Sequence, residues 1–286
     1  MERLWLLFLL LSPSSCEEDA ASTCGVHADT LELAESRSWQ EPYNFVMPEN
    51  RLIGGMETKP HAWPWTVQLQ MNGYHRCGGS LIDPQFVLTA AHCFARRRNP
   101  SDYVVRVGGN IAGKGQAHKV AAISTHPFFN LGWPSSYDVA LIRITPPVNI
   151  TNDTRTICLP DYPVVENKMC VVAGWGAIKE GEIQWMKKLR EIHIPIVPLA
   201  QCNNLAHYAG RLDFGSMICA GFSNGQIDSC QGDSGGPLMC ARDGRWEVAG
   251  IVSWGIGCGR PGHPGVYANV NALRPWINLE LLRMRV

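Results

Sequence analysis

Gly232-Asp233-Ser234-Gly235-Gly236-Pro237 is the stretch from which the rest of this 286-residue chain is read. A serine hydroxyl is a poor nucleophile until a base takes its proton. Glycines around it let a carbonyl substrate and backbone N–H groups come close. Alone, the string could be a turn. Upstream, however, lie Thr89-Ala90-Ala91-His92-Cys93 and Tyr137-Asp138-Val139-Ala140-Leu141-Ile142. They supply a histidine and an aspartate in the order His, Asp, Ser, a known order of hydrolytic triads.

Around these strings the chain reads as short strands punctuated by turns: 66–70, 80–88, 103–107, 139–144, 170–173, 246–253 and 266–270. An all-β fold is the natural expectation. Leu273, Trp276, Ile277 and Leu281 fall at helical spacing, with Pro275 early in the first turn, so a C-terminal helix should pack on the body. The composition agrees, being 45% hydrophobic and 17% charged with 28 Gly and 19 Pro. That is core-forming and turn-rich, which excludes a wholly disordered chain. A formal net charge of zero lacks the basic signature of a nucleic-acid binder, so no nucleic-acid partner is expected.

Arg3 followed by the unbroken apolar run 4–11 and the small residues up to Cys16 reads as a signal peptide over 1–16, hence a secreted, extracellular protein. No apolar run approaches the ~20 residues of a membrane span, so no membrane anchor is expected. Residues 17–51 carry eight acidic residues against two arginines, and form an acidic leader ending at Arg51. The chain has 11 cysteines; loss of Cys16 with the signal leaves an even set for disulfides, and no C-x-x-C occurs to suggest a zinc or thiol redox centre. Parity alone leaves their pairing open.

With these strings in hand, residues 52–286 resemble a trypsin-like member of the chymotrypsin family of serine endopeptidases. The resemblance extends to Arg51-Leu52-Ile53-Gly54-Gly55, Gly174-Trp175-Gly176, Ser253-Trp254-Gly255 and Pro264-Gly265-Val266-Tyr267. It implies two antiparallel six-stranded β-barrels with the active site between them and a C-terminal helix. Carried over, Ser234 is the nucleophile, His92 the general base and Asp138 its orienting partner. The N–H groups of Gly232 and Ser234 form the oxyanion hole, and Ser253 bonds the aspartate. Asp228 lies at the floor of the primary pocket with Ser229 beside it. Gln231 and Trp254 line the substrate, and Gly255 and Gly265 keep the pocket open. Cleavage after Arg or Lys follows, since a buried carboxylate demands a cation.

The resemblance also implies a zymogen: an activating protease cuts Arg51–Leu52, and the new amine pairs with Asp233. His75 resembles the residue that holds this aspartate in some zymogens, but Gln68 stands where their serine partner would be. Leu52 replaces the usual isoleucine or valine. The implied disulfides are Cys77–Cys93, Cys170–Cys240, Cys202–Cys219 and Cys230–Cys258, with Cys24–Cys158 tethering the propeptide of 17–51 to the peptidase domain of 52–286. No cofactor and no metal are implied: the span from Arg106 to Asp138 lacks the acids of a calcium loop, and Pro264 replaces the aromatic residue associated with sodium activation. Expected partners are protein substrates, the activating protease and protein protease inhibitors.

Arg96, Arg97 and Arg98 read as a solvated face, or else as a site for acidic residues after the scissile bond or for an anionic polysaccharide. Asn149-Ile150-Thr151 and Asn152-Asp153-Thr154 are glycosylation sequons. The alternative to an active peptidase is a catalytically silent protease-fold binding protein, which an intact triad and oxyanion glycines disfavour.

Overall fold

The computed structural model describes residues 24–26, 55–181, 186–225 and 227–286. The signal segment, most of the leader and the Arg51–Leu52 junction lie outside the described residues. Six strands close the first barrel: β2 (Thr66–Met71), β3 (Tyr74–Asp83), β4 (Phe86–Thr89), β5 (Tyr103–Val107), β6 (Gln116–Thr125) and β7 (Ala140–Thr145). β2 pairs with both β3 and β5, which completes the ring. Asn72 and Gly73 both have positive φ in the β2–β3 turn, the Asn-Gly chemistry of a tight hairpin. In β5 the burial alternates, with Tyr103, Val105 and Val107 inward, as a half-buried strand requires.

The second barrel comprises β8 (Met169–Gly174), β9 (Arg190–Val197), β10 (Met217–Ala220), β11 (Pro237–Arg242), β12 (Arg245–Trp254) and β13 (Gly265–Asn269), closed by the β8–β9 pairing. A two-residue strand, β1 (Met56–Glu57), lies outside it on β9. Both barrels are antiparallel and six-stranded, as the resemblance implies. Their packing is anchored by Trp65, whose Nε1 donates to Met239 Sδ at 2.9 Å, and by the edge-on contact of Trp63 with Trp246 at 4.8 Å.

Two local expectations need correction. The apparent strand 80–88 is a hairpin: the chain reverses at Pro84-Gln85, where Asp83 Oδ1 accepts the Gln85 N–H at 2.8 Å, so its halves belong to β3 and β4. Pro275 is the sixth residue of the C-terminal helix, not part of its first turn. Besides the four-residue α1 (Leu199–Cys202), that helix is α2 (Val270–Arg285), capped by Asn269 accepting from Ala272 N–H. Leu273 and Ile277 are buried, while Trp276 and Leu281 are half-buried. No helix among the described residues is long and apolar enough to cross a membrane.

Five disulfides are formed, joining Cys24 to Cys158, Cys77 to Cys93, Cys170 to Cys240, Cys202 to Cys219 and Cys230 to Cys258. The first fastens a piece of the leader to the body. Gly25 extends that attachment by donating to the Thr156 carbonyl at 2.8 Å and accepting from Trp246 N–H at 2.9 Å.

Candidate active site

His92 sits in a short 3-10 turn, Ala91–Phe94, at the end of β4, with Cys93 clamped to Cys77 behind it. Asp138 enters from the loop before β7 and is fully buried. It accepts the His92 backbone N–H on Oδ1 at 2.8 Å and faces His92 Nδ1 with Oδ2 at 2.7 Å. The Ser253 hydroxyl, from the end of β12, donates to the same Oδ2. A buried carboxylate requires such donors. Facing a carboxylate, Nδ1 carries the proton, which leaves Nε2 as the acceptor toward the cleft.

Ser234 is presented by a loop that only glycines can make. Gly235 has φ +78°, and a Cβ there would lie 2.2 Å from Thr89 Oγ1, two residues before Ala91. The loop is tied to the first barrel by Gly78 N–H donating to the Ser234 carbonyl at 2.8 Å, and to β12 by Gly235 N–H donating to the Val252 carbonyl at 2.8 Å. Among the described residues, Ser234 Oγ has no hydrogen bond to His92, and the N–H groups of Gly232 and Ser234 donate to no protein acceptor.

Next to Ser234 opens a cavity of about 140 Å³. Its lining includes Asp228, Ser229, Val252, Trp254, Gly255 and Cys258, together with exposed Gln231. A Cβ at Gly265 would come within 2.6 Å of Asp228 Oδ1, so a side chain there would crowd that carboxylate. Trp254 packs edge-on to Tyr208 at 5.1 Å. Burial pushes the Asp228 carboxyl up to about 7, against the N–H donors of Gly259 and Ser229 that favour its charge, while Asp233 nearby raises it further. The Ser229 N–H contact is 2.8 Å and that of Gly259 is 3.2 Å. No cationic side chain among the described residues pairs with Asp228.

Asp233 turns away from the cleft. Its Oδ1 accepts Gly176 N–H at 2.8 Å and its Oδ2 accepts Cys230 N–H at 3.0 Å. It faces a cavity of about 30 Å³ whose lining includes Gly174, Arg190, Glu191 and Ile192. The Gly174-Trp175-Gly176 string has a steric reason: a Cβ at either glycine would stand within 2.5 Å of the Asp233 carboxylate. Burial pushes this carboxyl up to about 6. The holder of Asp233 suggested by the sequence, His75, bonds elsewhere: Nδ1 to Gln68 Nε2 at 3.0 Å and Nε2 to the Gly232 carbonyl at 2.7 Å.

Several site residues escape sequence reading. Tyr137 has φ +53° immediately before Asp138, and its N–H donates to Ser216 Oγ at 3.0 Å. Ser216 is fully buried and in turn donates to Asp213. Nothing at Ser216 marks it as part of the site, because it reaches Tyr137 from 79 positions away. Cys77, His92 and Cys93 place potential ligand atoms within 4.8 Å of one another, but both sulfurs are spent in the disulfide, so the cluster is not a metal centre. Asn149 and Thr151 are exposed, whereas Thr154 of the second sequon is buried and Asn152 Oδ1 accepts from Arg155 at 3.0 Å.

Two closed antiparallel six-stranded barrels with a C-terminal helix define the chymotrypsin-like architecture. A family model described as Trypsin matches residues 52–277, and the chain belongs to the trypsin family of serine peptidases.

Proposed function

We propose that this is a secreted endopeptidase that hydrolyses peptide bonds after Arg or Lys and is made as a zymogen activated at Arg51–Leu52. The observation that carries the specificity is Asp228, a carboxylate without a cationic partner lining the cavity beside Ser234. Burial raises its pKa to about 7, so the carboxylate form is poorly solvated there and a bound cation would stabilise it. A guanidinium or ammonium entering the cavity supplies it, with the Ser229 hydroxyl as a further partner.

The geometry supports the following chemistry. Ser234 Oγ attacks the scissile carbonyl carbon while His92 Nε2 takes its proton. Asp138 holds the ring and stabilises its charged form, and Ser253 holds Asp138. The oxygen that becomes negative is received by the N–H groups of Gly232 and Ser234, where one lost donor typically costs about 2.7 to 4 kcal/mol of barrier. His92 then gives the proton to the leaving amine. Water repeats the sequence on the acyl-enzyme and frees Ser234.

The leader disulfide and the Asp233 cavity support activation by cleavage. The cavity is small and lies at the start of β9, against which Gly55 rests by accepting from Arg190. A freed amine at Leu52 would find a carboxylate there with two backbone donors and a raised pKa. Disulfides and the family are consistent with an extracellular protein. Asn149 is the better glycan acceptor, because its sequon is exposed.

The test is turnover of matched peptide aminomethylcoumarin amides with Arg, Lys or Phe before the amide bond, after treatment with an Arg-specific activating protease, for wild type, Ser234→Ala and Arg51→Gln. Wild type should cleave after Arg and Lys only. Ser234→Ala should lose a factor of about 10⁴ to 10⁶ while keeping its fold, and Arg51→Gln should stay inactive. Equal rates on Arg and Phe would overturn the specificity. Failure of a fluorophosphonate probe to label the activated protein would favour the silent binding protein.

A further inference from the structure

One arginine is anchored next to the His92 segment, and three more follow that segment in the chain. Arg76 lies in β3 between His75 and Cys77, and its Nε donates to the Cys93 carbonyl at 3.3 Å. That guanidinium is thereby anchored one residue from His92. Arg96, Arg97 and Arg98 follow on the loop after the 3-10 turn and are exposed. The loop is not a free arm, because Tyr103 Oη donates to the Arg97 carbonyl at 2.8 Å. Burial raises the Tyr103 hydroxyl pKa, and Arg76 and Arg97 both oppose that shift while Asp102 adds to it, so both cations lie within electrostatic reach of Tyr103.

Their charge is poorly compensated. Arg97 meets Asp102 at 3.8 Å, an exposed pair of little strength. Among the described residues Arg76, Arg96 and Arg98 form no ion pair. An ordinary solvated face interleaves signs, whereas this one holds like charges at consecutive positions and across the Cys77–Cys93 bridge. With the residue before the scissile bond in the Asp228 cavity beside Ser234, as proposed above, the chain after the bond would pass on the other side of Ser234, toward His92 and this bridge.

We propose that Arg76, together with Arg96, Arg97 and Arg98, selects protein substrates that carry acidic side chains in the first few residues after the cleaved bond. The inference rests on the specificity proposed above and adds its other half: a cation before the bond and an anion after it. Arg76 supplies a fixed donor next to the reacting atoms. The exposed run supplies a positive field that steers an acidic segment into register. A peptide suits the site better than a long polyanion because the anchored member of the cluster abuts the catalytic histidine.

The experiment compares quenched peptides that share an Arg before the bond and differ only in having Glu, Ala or Lys at the second position after it, each followed by Pro so that the Lys peptide offers no second cleavable bond. An Arg aminomethylcoumarin amide, which has no residue after the bond, is the internal reference. For activated wild type the kcat/KM ratio of Glu to Lys peptides should be about tenfold to hundredfold at low salt and shrink toward one at ~1 M salt, where screening acts within a few ångströms. Within Arg76→Gln, and within a variant carrying Arg96→Gln, Arg97→Gln and Arg98→Gln, that ratio should fall at least threefold. A ratio near one in wild type, with the amide cleaved normally, overturns this proposal alone. An amide left uncleaved, with the Phe counterpart cleaved, overturns the Arg/Lys reading and this inference with it. Binding of a sulfated oligosaccharide that is lost in the arginine variants, with no peptide preference, would assign the cluster to a polyanion instead and also overturn it.

Discussion

His75 Nε2 lies 2.7 Å from the carbonyl oxygen of Gly232, a residue 157 positions later in the chain. The contact joins the first barrel to the loop carrying Ser234, and its proton is placed by a chain of amides. Gln68 Oε1 accepts from Gln70 Nε2 at 3.1 Å and from Gly113 N–H at 2.9 Å, so Gln68 presents its NH₂ to His75 Nδ1. His75 must then carry its proton on Nε2, aimed at the carbonyl. Burial lowers its pKa, against the Gly232 bond that raises it, which keeps the ring in this neutral form.

Gln68→Met should therefore loosen the Gly232 loop. Leaving buried partners unsatisfied costs about 1 to 3 kcal/mol, and we expect kcat on an Arg peptide to fall about tenfold with a smaller change in KM. The ¹⁵N shifts of the His75 ring should report Nε2–H in wild type and a mixture of tautomers in the variant. Unchanged kcat would mean that this chain of amides does not support the oxyanion loop.

Ser216→Ala tests the support of Asp138. Tyr137 holds a backbone conformation that costs a non-glycine residue of order 1–3 kcal/mol, and Ser216 Oγ is the acceptor that fixes it. His126, stacked on Tyr137 at 4.9 Å, and Phe128, edge-on to it at 5.8 Å, restrain the ring. Removal of the hydroxyl should lower Tm by several degrees and reduce kcat more than KM. A variant with wild-type kcat would show that Asp138 is held by His92 and Ser253 alone.

The pH dependence of ligand binding follows from Asp228. Its carboxyl stands at about 7, above the ordinary 3.8, because of burial. The stability it contributes is fully present below about 3.8 and is lost as pH rises through about 7, when an uncompensated charge appears in the cavity. A bound cation removes that penalty, so benzamidine should bind the activated enzyme more tightly as pH rises, by up to tenfold per unit below about 7. Calorimetric Kd values at pH 5 and pH 8 check this. Equal values, or the same dependence in Asp228→Asn, would assign the effect elsewhere.

The Cys24–Cys158 bridge predicts a two-chain product. After cleavage at Arg51 the leader should migrate with the catalytic chain on a non-reducing gel and separate on reduction. In a Cys24→Ser, Cys158→Ser double variant it should be shed in both. Release of the leader from wild type without reductant would contradict the observed pairing.

What could be read directly from the chain were features set by local chemistry. The Gly232–Pro237 string, the strands with β-branched alternation such as Tyr103–Val107, and the periodicity of the last helix carry their own physical reasons in a few adjacent residues. Even so, β6, β9, β10 and β11 are absent from the strands expected from the chain; β6 escapes because Gln116–Thr125 is polar and alanine-rich, and it becomes a strand only by pairing with β5 and β7. The hairpin inside 80–88 is hidden because both arms are apolar on either side of one proline.

The tertiary structure alone decided the rest, because each remaining contact joins residues far apart in sequence. That Gly174 and Gly176 must lack side chains to admit Asp233, and that Ser216 braces Tyr137, are steric and hydrogen-bonding facts of chain crossings. The sequence could place a carboxylate at position 228 but not measure its isolation. Its raised pKa comes from burial by surrounding strands and loops, and desolvation is a property of the folded whole rather than of any neighbour in the chain.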